Sequence, residues 1–246
     1  MKNINHNYWE GCHEKYKGDA DCHNPDLRVA MNQLYGKING EKVFDFGVIK
    51  KDGGTAEYKD EKNIQFNCSP DGYSTYTTAG KYKTSMPFKE ETVAKHPELV
   101  NKIRALAGTI AGEFFFPCCK VNGNTINQDR GFGKIGQFIG DRIDLTLRDI
   151  KKYYDKEQGD YPLKDTLCRY SDFFDKFGGF DKYVDHCLLG DFCDENYKVS
   201  LWKDKDGLPA TSDELIGFWE WSLKKLNLRL ARIEKFAHAH NLFDQE

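Results

Sequence analysis

Eight arginines stand among the 36 basic residues of this 246-residue chain, and four of them, Arg130, Arg142, Arg148 and Arg169, fall within about forty positions. Asp141, Asp144 and Asp149 are interleaved with them. Arginine's planar fork holds a carboxylate or phosphate through two parallel hydrogen bonds, which lysine cannot do. Where lysine otherwise supplies the positive charge, this clustering points to anion recognition or to fork-paired carboxylates. On a helix, Asp141, Asp144 and Arg148 share one face, and Arg142, Thr146 and Asp149 share another. Upstream, Asn127, Gln128 and Arg130 precede Gly131 and Gly133. A glycine-flanked loop entering a helix offers N–H groups and the positive dipole end to an anion. The expected site joins Asn127, Gln128 and Arg130 to Arg142 and Arg148 around an anionic small molecule, most simply a nucleotide. In a catalytic version, Asp141 or Asp144 acts as base or metal ligand while arginine stabilises developing negative charge. The competing expectation is a static polar network in which Asp144 and Arg148 form an ordinary helix pair.

Three other groupings carry weaker chemistry. Cys12-His13 and Cys22-His23 supply four soft ligands for a zinc ion, although adjacent ligands chelate one metal awkwardly. Arg232 followed by His238 could be built into a helical ribonuclease, but so short a pairing arises readily by chance. His186 beside Cys187 lies near a helical apolar stripe, and neighbours on a helix do not converge as a nucleophile pair, so a partly buried, hydrogen-bonded histidine is expected.

The elements that must position these groups follow from periodicity. The first 25 residues read as an irregular, polar surface segment. A short helix is expected over Pro25–Lys37, with Leu27, Ala30, Met31 and Leu34 inward. Over about residues 42–120 the pattern turns strand-rich. Val43–Ile49 and Tyr58–Cys68 flank a turn at Lys51–Gly54, Ser74–Thr78 suggests another strand, and Gly112–Pro117 reads as a buried strand. A helix from Glu98 to Ala107 interrupts it after Pro97. The part from about 126 to 242 reads as helical. Ile135, Ile139, Ile143, Leu147, Ile150 and Tyr154 form one stripe, and helices follow from Pro162 and from Phe180, with a short strand at Val199–Trp202. Thr211 with Glu214 forms a capping box, and Ile216, Trp219, Leu223, Leu226, Leu230, Ile233 and Ala237 step as a heptad seam. Trp219 and Trp221 cannot share one stripe, so self-association through the 212–242 helix is a further expectation. The fold class expected is α+β in one domain, a small antiparallel sheet packed with a predominantly helical C-terminal half.

Composition excludes several classes. Hydrophobic residues make up 39% and charged residues 30%, without the run of roughly 18–20 apolar residues that spans a bilayer. A net charge of −3 argues against non-specific nucleic-acid binding. The beginning Met1-Lys2-Asn3-Ile4-Asn5-His6 lacks an export core, and eight cysteines, two of them adjacent, do not form a disulfide framework. A cytoplasmic location is therefore expected; the cofactor is unknown.

The run Ile126-Asn127-Gln128-Asp129-Arg130-Gly131, then Asp141-Arg142-Ile143-Asp144-Leu145-Thr146-Leu147, Ile150 and Tyr153-Tyr154, resembles the signature block of an uncharacterised family of bacteria and their phages. The resemblance covers about residues 108–202. Asp129 stands where that pattern usually has a small residue, and Ala111-Gly112 where it usually has two glycines, so an extra carboxylate sits beside Arg130. No activity comes with the resemblance. The context it implies is phage–host conflict, in which an inhibitor or immunity factor acting through a protein partner is the alternative expectation.

Overall fold

The computed structural model describes residues 3–18, 20–44, 58–59, 65–73, 75–80, 84–118, 142–203 and 208–243. The N-terminal segment is anchored inward: Ile4, Tyr8, Cys12 and Ala20 are buried, the last two on short helices α1 (Cys12–Tyr16) and α2 (Ala20–His23). Its few apolar residues are too widely spaced to register as a stripe. Asn24 caps α3 (Pro25–Tyr35) by accepting from the Asp26 and Leu27 N–H groups. Pro25 takes the first helical position, where a missing N–H is harmless. Leu27, Ala30, Met31 and Leu34 are buried as expected.

The strands are short. β1 (Lys37–Ile38) and β2 (Glu41–Lys42) pair antiparallel around Asn39-Gly40, both at positive φ, the backbone a two-residue hairpin loop requires. The expected turn at Lys51–Gly54 lies outside the described residues. Tyr58–Cys68 is not one strand: β3 (Tyr58–Lys59) pairs antiparallel with the start of β4 (Gln65–Gly72). Thr75–Thr78 is not a strand either, because Tyr76 adopts φ 55° and Thr77 turns to meet Arg104. β5 (Glu113–Cys118) completes the order β3-β4-β5, running antiparallel to β4 from Gly72↔Glu113 to Asn67↔Cys118. Among the described residues β3 pairs with Gln65 and Phe66 of β4, and Pro70 of β4 lies opposite Phe115 of β5.

Helices dominate, even among these strands. α4 (Lys89–Lys95) and α5 (Pro97–Ala107) precede β5, with Val100, Ile103 and Ala107 of α5 buried and Leu99 and Leu106 packed beside them. After β5 the next described helix is α6 (Ile143–Tyr154). Arg142 before it is extended, so the stripe drawn from Ile135 to Tyr154 breaks there; its first part lies outside the described residues. The helix expected from Pro162 is two short ones, α7 (Lys164–Arg169) and α8 (Ser171–Phe174), separated at Tyr170. Gly178, at φ 73°, ends that segment before α9 (Phe180–His186). Val199–Trp202 makes only an isolated bridge, Cys193 to Val199, and not a strand.

Thr211 caps α10 (Ser212–Ala239), its hydroxyl accepting from the Glu214 N–H at 3.2 Å. The buried face of this helix is wider than a seam: Leu215, Phe218 and Ser222 join Trp219, Leu226, Ile233 and Ala237, while Ile216, Leu223 and Leu230 flank them. Trp219 is buried, its indole N–H donating to the Thr75 carbonyl at 2.8 Å, and half-buried Trp221 packs on Phe192 and Phe218. Within the chain, this helix packs against α4, α5 and the turns before β5 and after α9. Buried apolar residues from Ile4 to Ala237 form one cluster. Among the described residues no helix is long and apolar enough to cross a membrane.

Candidate functional site

Arg142 and Asp144 form the centre of the expected charged cluster. Because Arg142 is extended at the N-cap of α6, its side chain runs alongside the first turn and reaches a residue two positions on. Its Nε donates to Asp144 Oδ1 at 2.7 Å and its Nη2 to Oδ2 at 2.6 Å, a two-pronged pair with both side chains buried. The Trp202 N–H adds a third bond, to Oδ2 at 3.1 Å. The guanidinium carbon lies 5.6 Å from the centre of the Trp202 ring and 5.2 Å from that of Phe218, within cation–π range. A carboxylate in the first turn also faces the positive end of the helix. Burial works against the Arg142 charge, but the hydrogen bonds and charge of Asp144 outweigh it and hold the guanidinium pKa above its usual value.

Around the pair stands a polar–aromatic layer. Tyr73 stacks on Phe218 and shares a 2.8 Å hydrogen bond with Ser222, both buried. Burial, with the Asp144 charge adding to it, pushes the Tyr73 hydroxyl far above its ordinary pKa, so it remains protonated. Tyr76 packs on the same Phe218 ring, at 5.2 Å between centres.

The second pair is one turn along. Arg148 does not pair with Asp144, as helix spacing suggested, but with Asp149, donating from Nε and Nη2 to Oδ1 at 2.9 and 2.8 Å. Asp149 Oδ2 accepts from the Leu163 N–H at 3.0 Å. Burial pushes the Asp149 carboxyl upward, opposed chiefly by the Arg148 charge. Each aspartate therefore binds one arginine and the backbone of another segment, tying α6 to Trp202 and to Leu163. An aspartate so occupied is a poor general base, since a proton acceptor needs a free lone pair aimed at substrate.

The other expected residues divide clearly. Asn127, Gln128, Arg130 and Asp141 lie outside the described residues. Of the zinc candidates, Cys12 is buried, whereas His13 is exposed and His23 packs against Gly18. Among the described residues no three His, Cys, Asp or Glu side chains gather to hold a metal. Arg232 forks onto Asp191, while exposed His238 packs at a tilt against Phe243, so the two do not converge on one reacting centre. His186 is the partly buried histidine expected, its Nε2 lying 3.0 Å from the Tyr35 carbonyl.

Sequence reasoning passed over Arg229, which is fully buried and bonded to five groups. It donates to the carbonyls of Leu188, Ala111, Glu113 and Cys187 and to the Tyr35 hydroxyl, at 2.7–3.3 Å. Its signal was present: Ser222 and Arg229 are the polar positions in the stripe Leu215, Phe218, Ser222, Leu226, Arg229, Ile233.

The chain belongs to a family of unknown function (DUF6994), whose model matches residues 4–233. The membership takes in the N-terminal helices and most of α10 as well as the charged block. No curated protein and no solved structure matches the chain.

Proposed function

We propose that the protein binds an anionic small molecule, a nucleotide or its phosphate being the simplest class, without using Asp144 as a catalytic base. The observation that supports the reading is the Arg142–Asp144 fork, buried between Trp202 and Phe218 where the segment carrying Asn127, Gln128 and Arg130 joins α6. Binding groups hold a ligand well when their supports are locked by packing and hydrogen bonds. Arg142, already bonded to Asp144, serves as a fixed base for the site; Asn127, Gln128 and Arg130 supply the contacts. The three bonds on Asp144 favour binding over proton transfer.

Native mass spectrometry of the freshly purified chain tests this, together with melting curves in nucleoside mono-, di- and triphosphates. The expected result is a retained small mass, or a raised melting midpoint, that Arg130→Ala abolishes while remaining folded. No retained mass and no midpoint shift at millimolar nucleotide would remove the anion-binding reading and leave the buried pairs as structural.

A further inference from the structure

A groove between α9 and the C-terminal end of α10 holds charges that the Arg142 cluster does not use. Its volume is about 280 Å³, and its floor is apolar, with Val184 and Leu188 on one side and Phe236 and Ala239 on the other. His240 stacks on Phe236, at 4.1 Å between ring centres, with Nδ1 2.8 Å from the Phe236 carbonyl, which fixes that end of the floor.

Three charged side chains line the groove, and they are not equivalent. Arg232 forks onto Asp191 at 2.7 and 3.0 Å. Its guanidinium lies over Gly190, where an added Cβ would come within 3.2 Å of the guanidinium carbon. Arg232 is thereby held in place and paired with Asp191, while Asp185 acts on its charge more weakly. Asp185 and Lys235 remain. Asp185 accepts one side-chain hydrogen bond among the described residues, from the Tyr197 hydroxyl to Oδ2 at 2.9 Å, which orients the carboxylate. Lys235 forms no ion pair among the described residues, with Asp185 or any other acid.

Opposite charges that share a groove without meeting, above an apolar floor, match a molecule carrying both signs and an apolar body. The volume falls below the roughly 300–1,000 Å³ of sites for drug-sized ligands, so the molecule is small. We propose that this groove binds an apolar α-amino acid, its ammonium on Asp185, its carboxylate on Lys235 and its side chain on the Leu188–Phe236 floor. The proposal shares no residue with the anion-binding reading and stands or falls separately.

Calorimetric titration of the full chain with L-leucine, 3-methylbutylamine and 4-methylpentanoate tests it, because the last two each lack one charge. L-leucine should bind, and each analogue should bind at least about tenfold more weakly, a difference of about 1.4 kcal/mol. Asp185→Asn should abolish the preference for L-leucine over 4-methylpentanoate, and Lys235→Gln its preference over the amine. Both side chains are exposed, and unchanged melting midpoints would confirm that the variants fold. Equal binding of 4-methylpentanoate and L-leucine would overturn the proposal in favour of a simple anion site. Absence of heat with L-leucine, L-methionine and L-phenylalanine at high millimolar concentration would overturn it outright.

Discussion

At the residue scale, the worth of the Arg142–Asp144 pair depends on how it is broken. Removing one partner leaves the other charge buried, which costs about 3–5 kcal/mol, whereas replacing both with apolar groups of similar volume is often nearly neutral. Arg142→Ala should therefore destabilise the chain by about that amount in urea denaturation. The double variant Arg142→Met, Asp144→Leu should cost less than Arg142→Ala alone, short of full recovery because the Trp202 N–H loses its acceptor. A double variant that costs the sum of its singles would show the two side chains to act independently. The arginine clustering made the use of guanidinium–aspartate pairing legible: Arg142 forks onto both oxygens of Asp144, and Arg148 places two donors on one oxygen of Asp149. Which aspartate each one takes was not legible. Helix spacing offers Arg148 to Asp144, but only the extended backbone at Arg142 lets that residue reach Asp144 first.

At the scale of elements, α10 is the spine, and Arg229 fastens other segments to it. The guanidinium gathers the Cys187 and Leu188 carbonyls after α9, the Ala111 carbonyl, the Glu113 carbonyl at the start of β5, and the α3 hydroxyl of Tyr35. Leu188 adopts φ 52°, an uncommon backbone for a non-glycine residue, at the point where its carbonyl meets Arg229. Arg229→Met preserves much of the volume but strips these acceptors of their donor, and each buried unsatisfied group costs about 1–3 kcal/mol. The expected loss is at least about 3 kcal/mol in urea denaturation, and Arg229→Lys should recover little of it, because one ammonium cannot span carbonyls from two segments and the Tyr35 hydroxyl. A loss below 1 kcal/mol in either variant would contradict the fastening role. Capping and periodicity made α3, α5 and α10 legible in advance, because the stripe Leu27, Ala30, Met31 and Leu34, the proline Pro97 and the cap Thr211 are local signals. Tyr76 and Tyr170 were not legible as breaks. The backbone there follows tertiary demands, Thr77 on Arg104 in the first case and the packing of Phe173 and Phe174 in the second.

At the scale of the whole molecule, His186 couples the N-terminal and C-terminal parts and makes their union sensitive to pH. Its ring lies among Tyr35, Phe44 and Phe177, and its Nε2 meets the carbonyl of Tyr35, 151 positions earlier in the chain. Burial lowers its pKa, the hydrogen bond to Tyr35 only partly offsetting that effect. In the unfolded chain a histidine takes up a proton near pH 6.5. As pH falls through that value the unfolded state gains a proton that the folded state resists, so stability present above pH 6.5 drains away below it. One proton of difference limits the slope to about 1.4 kcal/mol per pH unit. Asp149, whose carboxyl is pushed up by burial, acts in the opposite sense at lower pH, since its folded form takes up a proton before the unfolded one. The two are separable by comparing slopes and not absolute stabilities. Between pH 7.5 and 5.5 the wild-type unfolding free energy should fall with decreasing pH, and in His186→Gln that fall should be smaller, whatever the variant's stability at neutral pH. Equal slopes in the two proteins would mean that the ring is protonated in place, and the aromatic surround of His186 would then be no obstacle to its charge.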